Sequence, residues 1–154
     1  MKIRFAQDKD YAAMARLHRQ TIRTVNAKDY PDKTIRVWSG RTNANKFRES
    51  ASICKRWVGV EDNKVIGFCD HGLEGNGELW GLYIHKDYIG KGVGSRLLKV
   101  AEASLKKQGC KKVKIKATIT AKEFYKKQGY KVVRKALHKM GEIKVPIYIM
   151  MKKI

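Results

Sequence analysis

Three glycines alternate in Tyr88-Ile-Gly-Lys-Gly-Val-Gly-Ser-Arg-Leu-Leu98, a segment that follows an apolar strand-like run and turns at once into a helical pattern. That order suits a phosphate. Gly90, Gly92 and Gly94 let the backbone come close to a ligand and take up dihedrals that a Cβ would forbid. The helix turn that follows presents unpaired N–H groups and the positive end of its dipole. Ser95 adds a hydroxyl, and Lys91 and Arg96 add charge. Three glycines alone equally describe a flexible loop closing a helix N-terminus, so the context decides. Upstream, Asp70, His71, Glu74 and Glu78 are groups able to accept a proton, His71 having the unperturbed pKa nearest neutrality. Strand alternation would place residues 78, 80, 82 and 84 on one face.

The elements that must position these residues are legible as changes of period. Residues 2 to 6 alternate like a short strand. Asp8 offers an N-cap, and Tyr11, Met14, Ala15, Leu17, His18 and Ile22 predict an amphipathic helix to about residue 25. Tyr30-Pro31-Asp32 breaks it. Ile35 and Trp38 predict a second short helix, and Phe47 belongs to a further helical or irregular piece. From Ser52 the period becomes two, and with a turn at Asp62-Asn63 residues 52 to 74 read as a hairpin. Gly75-Asn-Gly77 turns into a strand from Glu78 to Ile84.

Beyond the glycine loop, Val93, Leu97, Leu98, Ala101 and Leu105 mark one face of a helix over about residues 93 to 108, ended by Gly109. Val113, Ile115 and Ala117 alternate with lysines as a strand. Thr120-Ala-Lys-Glu123 has the form of a capping box for a helix that Gly129 stops. Val132-Val133 and Val145 to Met151 make a final hairpin about Gly141-Glu142. This order predicts a single α/β domain over residues 1–154. It is an α+β sandwich whose mixed, mostly antiparallel central sheet has about six or seven strands and about four flanking helices. A doubly wound dinucleotide fold would need its glycine loop after the first strand and an acidic residue about 20 positions on, and neither is present.

Composition narrows the setting. The 35 Lys and Arg outnumber 14 Asp and Glu, a formal charge of +21 that attracts polyanions at low salt. Lysines recur from Lys86 to Lys153 with no separate basic arm, so a solvated lysine-rich surface and weak polyanion binding both remain open. Cys54, Cys69 and Cys110 are odd in number and far apart, with no CxxC pair and no histidine at ligand spacing. They suggest free thiols, neither a disulfide frame nor a metal site. Nothing approaches the roughly 18 consecutive apolar residues of a membrane span, and Met1-Lys-Ile-Arg-Phe5 runs straight into a strand pattern. A soluble cytoplasmic protein without a membrane partner is the expectation.

Three segments together resemble the GNAT superfamily of acyl-CoA N-acyltransferases, and the likeness runs over essentially the whole chain. Trp57-Val-Gly-Val-Glu with Val65-Ile-Gly-Phe resembles the family's central hairpin. Glu78-Leu-Trp-Gly-Leu-Tyr-Ile-His-Lys-Asp-Tyr88 running into Gly90-Lys-Gly-Val-Gly-Ser95 resembles its cofactor strand and pyrophosphate loop. Thr120-Ala-Lys-Glu-Phe-Tyr-Lys-Lys-Gln-Gly-Tyr130 resembles its closing helix.

The resemblance implies an N-acetyltransferase that moves acetyl from acetyl-CoA to a primary amine of a small molecule or protein, by direct attack in a ternary complex. Such a reaction needs an anion cradle, oxyanion donors, a base for the ammonium and an acid for the leaving thiolate. On that likeness, residues Ile89, Gly90, Lys91, Gly92, Val93, Gly94 and Ser95 hold the pyrophosphate, and pantetheine runs along Leu82, Tyr83 and Ile84. Thr118 stands where an asparagine is often found against pantetheine. Tyr125 matches the tyrosine beside the cofactor sulfur and would be the acid; its other reading is an aromatic of the helix core. Glu78 stands where several protein-acetylating members carry a glutamate, acting as base directly or through water, with Glu74, Asp70 and His71 as rivals. Tyr30-x-x-x-x-Ile35-x-x-Trp38 resembles a pattern of small single-domain prokaryotic members, so Tyr30 and Trp38 either line the amine site or pack in the core.

Ile89 departs from the usual Gln or Arg of the pyrophosphate motif, and Lys86 from a proline often found after the cofactor strand. Homodimers are common in the family. A different class of function, a basic nucleic-acid- or ribosome-binding module on the same fold, is favoured by the charge. It lacks an aromatic-basic stripe, helix-turn-helix spacing and an RNA-binding signature.

Overall fold

Alternating apolar and polar residues build seven strands into one sheet, and 3.6-residue periodicity lays five helices against it, in a computed structural model that describes all 154 residues. In chain order these are β1 (Lys2–Phe5), α1 (Tyr11–Thr24), α2 (Asp32–Gly40), α3 (Ala44–Glu49), β2 (Cys54–Glu61), β3 (Lys64–Gly72), β4 (Glu78–Ile84), α4 (Val93–Lys107), β5 (Lys112–Thr118), α5 (Lys122–Lys127), β6 (Lys131–Met140) and β7 (Ile143–Lys153). The strands lie in the order β1-β2-β3-β4-β5-β7-β6. Every pair is antiparallel except β4–β5. The mixed, mostly antiparallel sandwich expected from the sequence is the observed architecture, with α3 around Phe47 as the additional helix.

The two faces of the sheet bury separate apolar sets. On one, Leu97, Leu98, Ala101 and Leu105 of α4 pack on Ile66, Leu79, Val113, Ile115 and Met150. On the other, Met14 and Leu17 of α1 cover Val58 and Phe68. Ile35 and Trp38 of α2, with Ile22 and Tyr30, cover Val145, Ile147 and Ile149. Each such fully buried aliphatic side chain contributes about 1.5–3 kcal/mol relative to exposure.

Two caps differ from expectation. The buried Asp10 carboxylate, not Asp8, fixes the entry to α1: it accepts the Arg4 guanidinium at 2.7 and 2.9 Å and the Gln7 N–H at 2.8 Å. Asp8 lies outside on the surface, paired with Arg48 at 2.7 Å. At α5, the Thr118 hydroxyl accepts the Ala121 N–H at 3.1 Å, so the oxygen expected from Thr120 comes two residues earlier. Glu123 reaches Lys126 instead, at 3.8 Å.

The feature that shapes the site is an irregularity in β4. Asp70 of β3 lies opposite Gly81 but His71 lies opposite Leu79, so one extra residue of β4 is looped into the ladder. The bulge flips the side-chain parity. Leu79, Leu82 and Ile84 therefore share the α4 face, while Gly81 and Tyr83 look toward α1. Glu78 remains on the same side as Trp80 but parts company with residues 82 and 84, contrary to simple alternation. β4 and β5 pair only at Glu78–Lys114 and Leu79–Ile115 and then separate, opening a cleft in mid-sheet.

Candidate active site

Local sequence dictates the anion-binding end of this cleft. Gly92 takes φ +80° at the N-terminus of α4, and the first helical bond runs from the Arg96 N–H to its carbonyl. The amides of Gly92, Val93, Gly94 and Ser95 find no carbonyl partner. With the helix dipole behind them they form a cradle for a diphosphate. Val93 is buried, so only its backbone can serve. The Lys91 ammonium lies over the Tyr88 ring, 5.2 Å from its centroid, and Arg96 turns to the Met1 carbonyl at 3.3 Å.

The wall of the cleft is the free edge of β4. The His85 N–H donates to Ile66 on the β3 side at 2.8 Å, so alternation directs the amides of Leu82 and Ile84 into the gap toward β5. The Ile84 carbonyl there accepts the Thr21 hydroxyl at 3.0 Å. The cavity is about 440 Å³ and brings together Leu82, Tyr83, Ile84, Ile89, Gly90, Gly92, Gly94, Ser95, Thr118 and Tyr125. Of the cofactor residues expected from sequence, Lys91 and Val93 do not line it.

Tyr125 is 3% exposed and stands edge-to-face with both Phe124 and Tyr130. Burial, with Cys69, Tyr83 and Asp70 nearby, pushes its phenol well above the ordinary value near 10. It is neutral and holds a proton at every physiological pH. Thr120 lines the same cavity, and its hydroxyl is buried without a hydrogen-bond partner.

The candidate bases occupy distinct environments. Asp70 is buried and paired with Arg56 at 2.8 Å; desolvation pushes its carboxyl up while the guanidinium pulls it down. His71 is fully occupied, Nδ1 with the Gly72 carbonyl at 2.7 Å and Nε2 with the Ser104 hydroxyl at 2.9 Å, and burial lowers its pKa. Glu74 is exposed in the β3–β4 turn. Glu78 is half-buried at the start of β4 beside Lys114 of β5, and lines neither this cavity nor the next.

Tyr30 and Trp38 pack edge-to-face at 5.7 Å and are 6% and 5% exposed. The Tyr30 hydroxyl donates to the Pro146 carbonyl at 2.7 Å and accepts the Ile119 N–H at 2.9 Å, tying the chain after α1 to β7 and to the end of β5. Tyr30 lines neither cavity. Trp38 lines a second one, about 240 Å³, between α1, the α2–α3 connection and the β6–β7 hairpin, together with His18, Arg41, Thr42, Lys46 and Lys139. His18 and Tyr83 form the wall between the two, ring against ring at 4.0 Å. Burial, then Arg19, pushes the His18 pKa down to about 3.

Sequence reading missed His18 and Thr21 as wall residues. Both sit on the apolar face of α1, where a polar side chain is the only available signal. Lys127 and Gln128 reach the first cavity because α5 ends over it, which no local pattern announces.

The fold that carries this cleft has counterparts among known proteins. Residues 26–150 match the family model of the acetyltransferase (GNAT) domain, and the chain belongs to that family of acetyltransferases. Among solved structures it is similar to a GCN5-related N-acetyltransferase from Rhodopseudomonas palustris, with 22% identity, a TM-score of 0.93, and 99% of this chain and 95% of that one covered. It is also similar to the PaiA N-acetyltransferase from Thermoplasma acidophilum in complex with coenzyme A, with 24% identity, a TM-score of 0.78 and 100% of both chains covered. A ribosomal-protein-alanine N-acetyltransferase from Brucella melitensis matches at 16% identity and a TM-score of 0.69, over 100% of both chains. No curated protein matches the sequence.

Proposed function

We propose that the protein transfers acetyl from acetyl-CoA to a primary amine by direct attack within a ternary complex. The observation that carries this reading is one cavity lined both by Gly92, Gly94 and Ser95 of the α4 N-terminus, whose amides have no carbonyl partner, and by the buried Tyr125. The residues present fit coenzyme A. The Gly92 to Ser95 amides suit its diphosphate, the open β4 edge suits an added strand of pantetheine, and the unpaired Thr120 hydroxyl offers a partner to an amide of that arm. The PaiA N-acetyltransferase, which shares this fold, was solved in complex with coenzyme A.

Bound acetyl-CoA supplies the activated acetyl group. The Leu82 N–H, pointing into the gap, donates to the thioester carbonyl oxygen as negative charge gathers there. Tyr125 gives its proton to the departing sulfur, so the C–S bond breaks to a neutral thiol as the C–N bond forms. Glu78, on the Tyr83 side of the sheet, is assigned to receive the amine's proton through water. Three free, buried cysteines support a reducing, cytoplasmic setting for this single domain.

Calorimetry with coenzyme A and a thiol-release assay with acetyl-CoA and a broad amine panel test the reading. Saturable binding and amine-dependent release of free thiol are expected. The absence of heat even at millimolar coenzyme A, with folded protein, would overturn it.

A further inference from the structure

The second cavity is walled on the cofactor side by His18 and Tyr83, and its remaining lining is strongly one-signed. Arg41, Lys46 and Lys139 converge on it and no carboxylate lines it; none lines the cofactor cleft either. None of the three cations takes part in an ion pair. In a chain with a formal charge of +21, unpaired surface lysines are ordinary, so the convergence into a concave site matters more than the lack of partners.

One further observation points to a ligand, and two more show that the walls of the cavity are held in place. His18 Nε2 is buried in its wall with no hydrogen-bond partner, although Nδ1 meets the Thr42 hydroxyl at 3.2 Å. A buried polar atom left open in this way calls for a ligand group or a bridging water. The Thr42 carbonyl accepts Arg19 at 2.7 Å, which fixes the loop carrying the cations to α1. Arg41 Nη1 lies where a Cβ on Gly141 would come within 3.2 Å, so the guanidinium rests directly on the β6–β7 turn.

We infer that the acceptor of this acetyltransferase is a small amine bearing a carboxylate or phosphate, whose anionic end sits on Arg41, Lys46 and Lys139 while its nitrogen points past the His18 ring toward the cofactor cleft. The inference rests on the acetyl-transfer reading and names the substrate class of that site. A positive cavity repels polycationic amines and rewards an anion through charge-assisted hydrogen bonds, which Arg41 can make in bidentate form. The volume of about 240 Å³ fits a molecule of amino-acid size.

Thiol release at saturating acetyl-CoA is measured for matched pairs: β-alanine against β-alaninamide, and phosphoethanolamine against ethanolamine, with putrescine as the cationic amine. The anionic member of at least one pair has a kcat/KM about tenfold or more above its neutral partner, as one charge-assisted contact provides. The pair that responds tells carboxylate from phosphate. Arg41→Gln and Lys139→Gln each reduce that preference by about threefold to tenfold through KM, and Arg41→Lys restores part of it. Lys153→Gln removes the same charge elsewhere and leaves the ratio unchanged. Equal or better turnover of the neutral member in both pairs, or of putrescine over both anionic amines, overturns the inference while acetyl transfer stands. Thiol release by none of the five overturns the inference, and the acetyl-transfer reading is then decided separately by coenzyme A calorimetry and the broad amine panel.

Discussion

The imidazole of His18 lies against the ring of Tyr83, centroids 4.0 Å apart and planes tilted by 53°, joining α1 to β4 on the side of the sheet opposite α4. The edge of the same imidazole meets Phe68 at 5.9 Å. An ionised ring has no place among these aromatics, and this has a consequence in pH.

His18 has a folded pKa near 3, against about 6.5 in the unfolded chain. The unfolded state binds the extra proton, so the stability from neutral His18 is complete above about pH 6.5. It is lost as pH falls from there toward 3, by up to about 1.4 kcal/mol per pH unit. His71 and His138, both lowered by burial, act in the same direction. Denaturant unfolding between about pH 5 and 8 should show this decline, and His18→Gln should make it shallower by close to one proton. An unchanged slope would mean that His18 titrates normally in the fold.

Tyr125→Phe removes one oxygen from a packed aromatic cluster and the proposed proton donor from the cleft. We expect kcat to fall about a hundredfold, the lower end of general acid catalysis, with coenzyme A affinity and thermal midpoint nearly unchanged. Calorimetry and unfolding beside steady-state kinetics check this. A drop in affinity equal to the drop in kcat would make the phenol a binding group instead.

Tyr30→Phe has the opposite signature. The hydroxyl joins the Ile119 N–H and the Pro146 carbonyl in part-buried bonds, and its loss removes that shared partner from both. Urea unfolding should show a loss of about 1–3 kcal/mol, from roughly 0.5–1.5 kcal/mol for each of the two hydrogen bonds. A change under 0.5 kcal/mol would show that water replaces the hydroxyl freely.

Gly77 and Gly92 should fail differently when changed to alanine. At Gly77, φ is +73° and a Cβ would sit 2.2 Å from the Lys112 carbonyl oxygen, at the only place where β4 and β5 pair. Gly77→Ala should cost well over 2 kcal/mol, because backbone must move in addition to αL strain of about 1–2 kcal/mol. At Gly92, φ is +80° with open space around it, so Gly92→Ala brings the strain alone. Its main effect should be an approximately tenfold weaker coenzyme A Kd, as the cradle amides turn to relieve that strain. Unfolding and calorimetry on the two variants distinguish the cases.

Several of these residues were legible in the chain and several were not. The α4 helix and the Asp62-Asn63 hairpin followed from period and turn chemistry, because both are decided by neighbours in sequence; the turn residues take φ 48° and 60° as a tight hairpin requires. The entry to α1 misled, since Asp8 and Asp10 are equally good local caps. Only the position of Arg4 across the turn decides between them. His71 looked available by its intrinsic pKa, but its nitrogens are taken by Gly72 and by Ser104, a residue 33 positions away.

The order of elements, the glycine-rich segment from Gly90 to Ser95 and the resemblance they carry are written in local sequence, because glycine conformations and helix N-termini are properties of a dozen adjacent residues. Tertiary structure alone decided that β4 carries a bulge and splays from β5 beyond Leu79, so that Leu82 and Ile84 leave the face of Glu78. It also decided that His18, Arg41 and Lys139 meet around one cavity. Strand register and the meeting of distant loops depend on which partner each edge finds, and period carries no record of the partner.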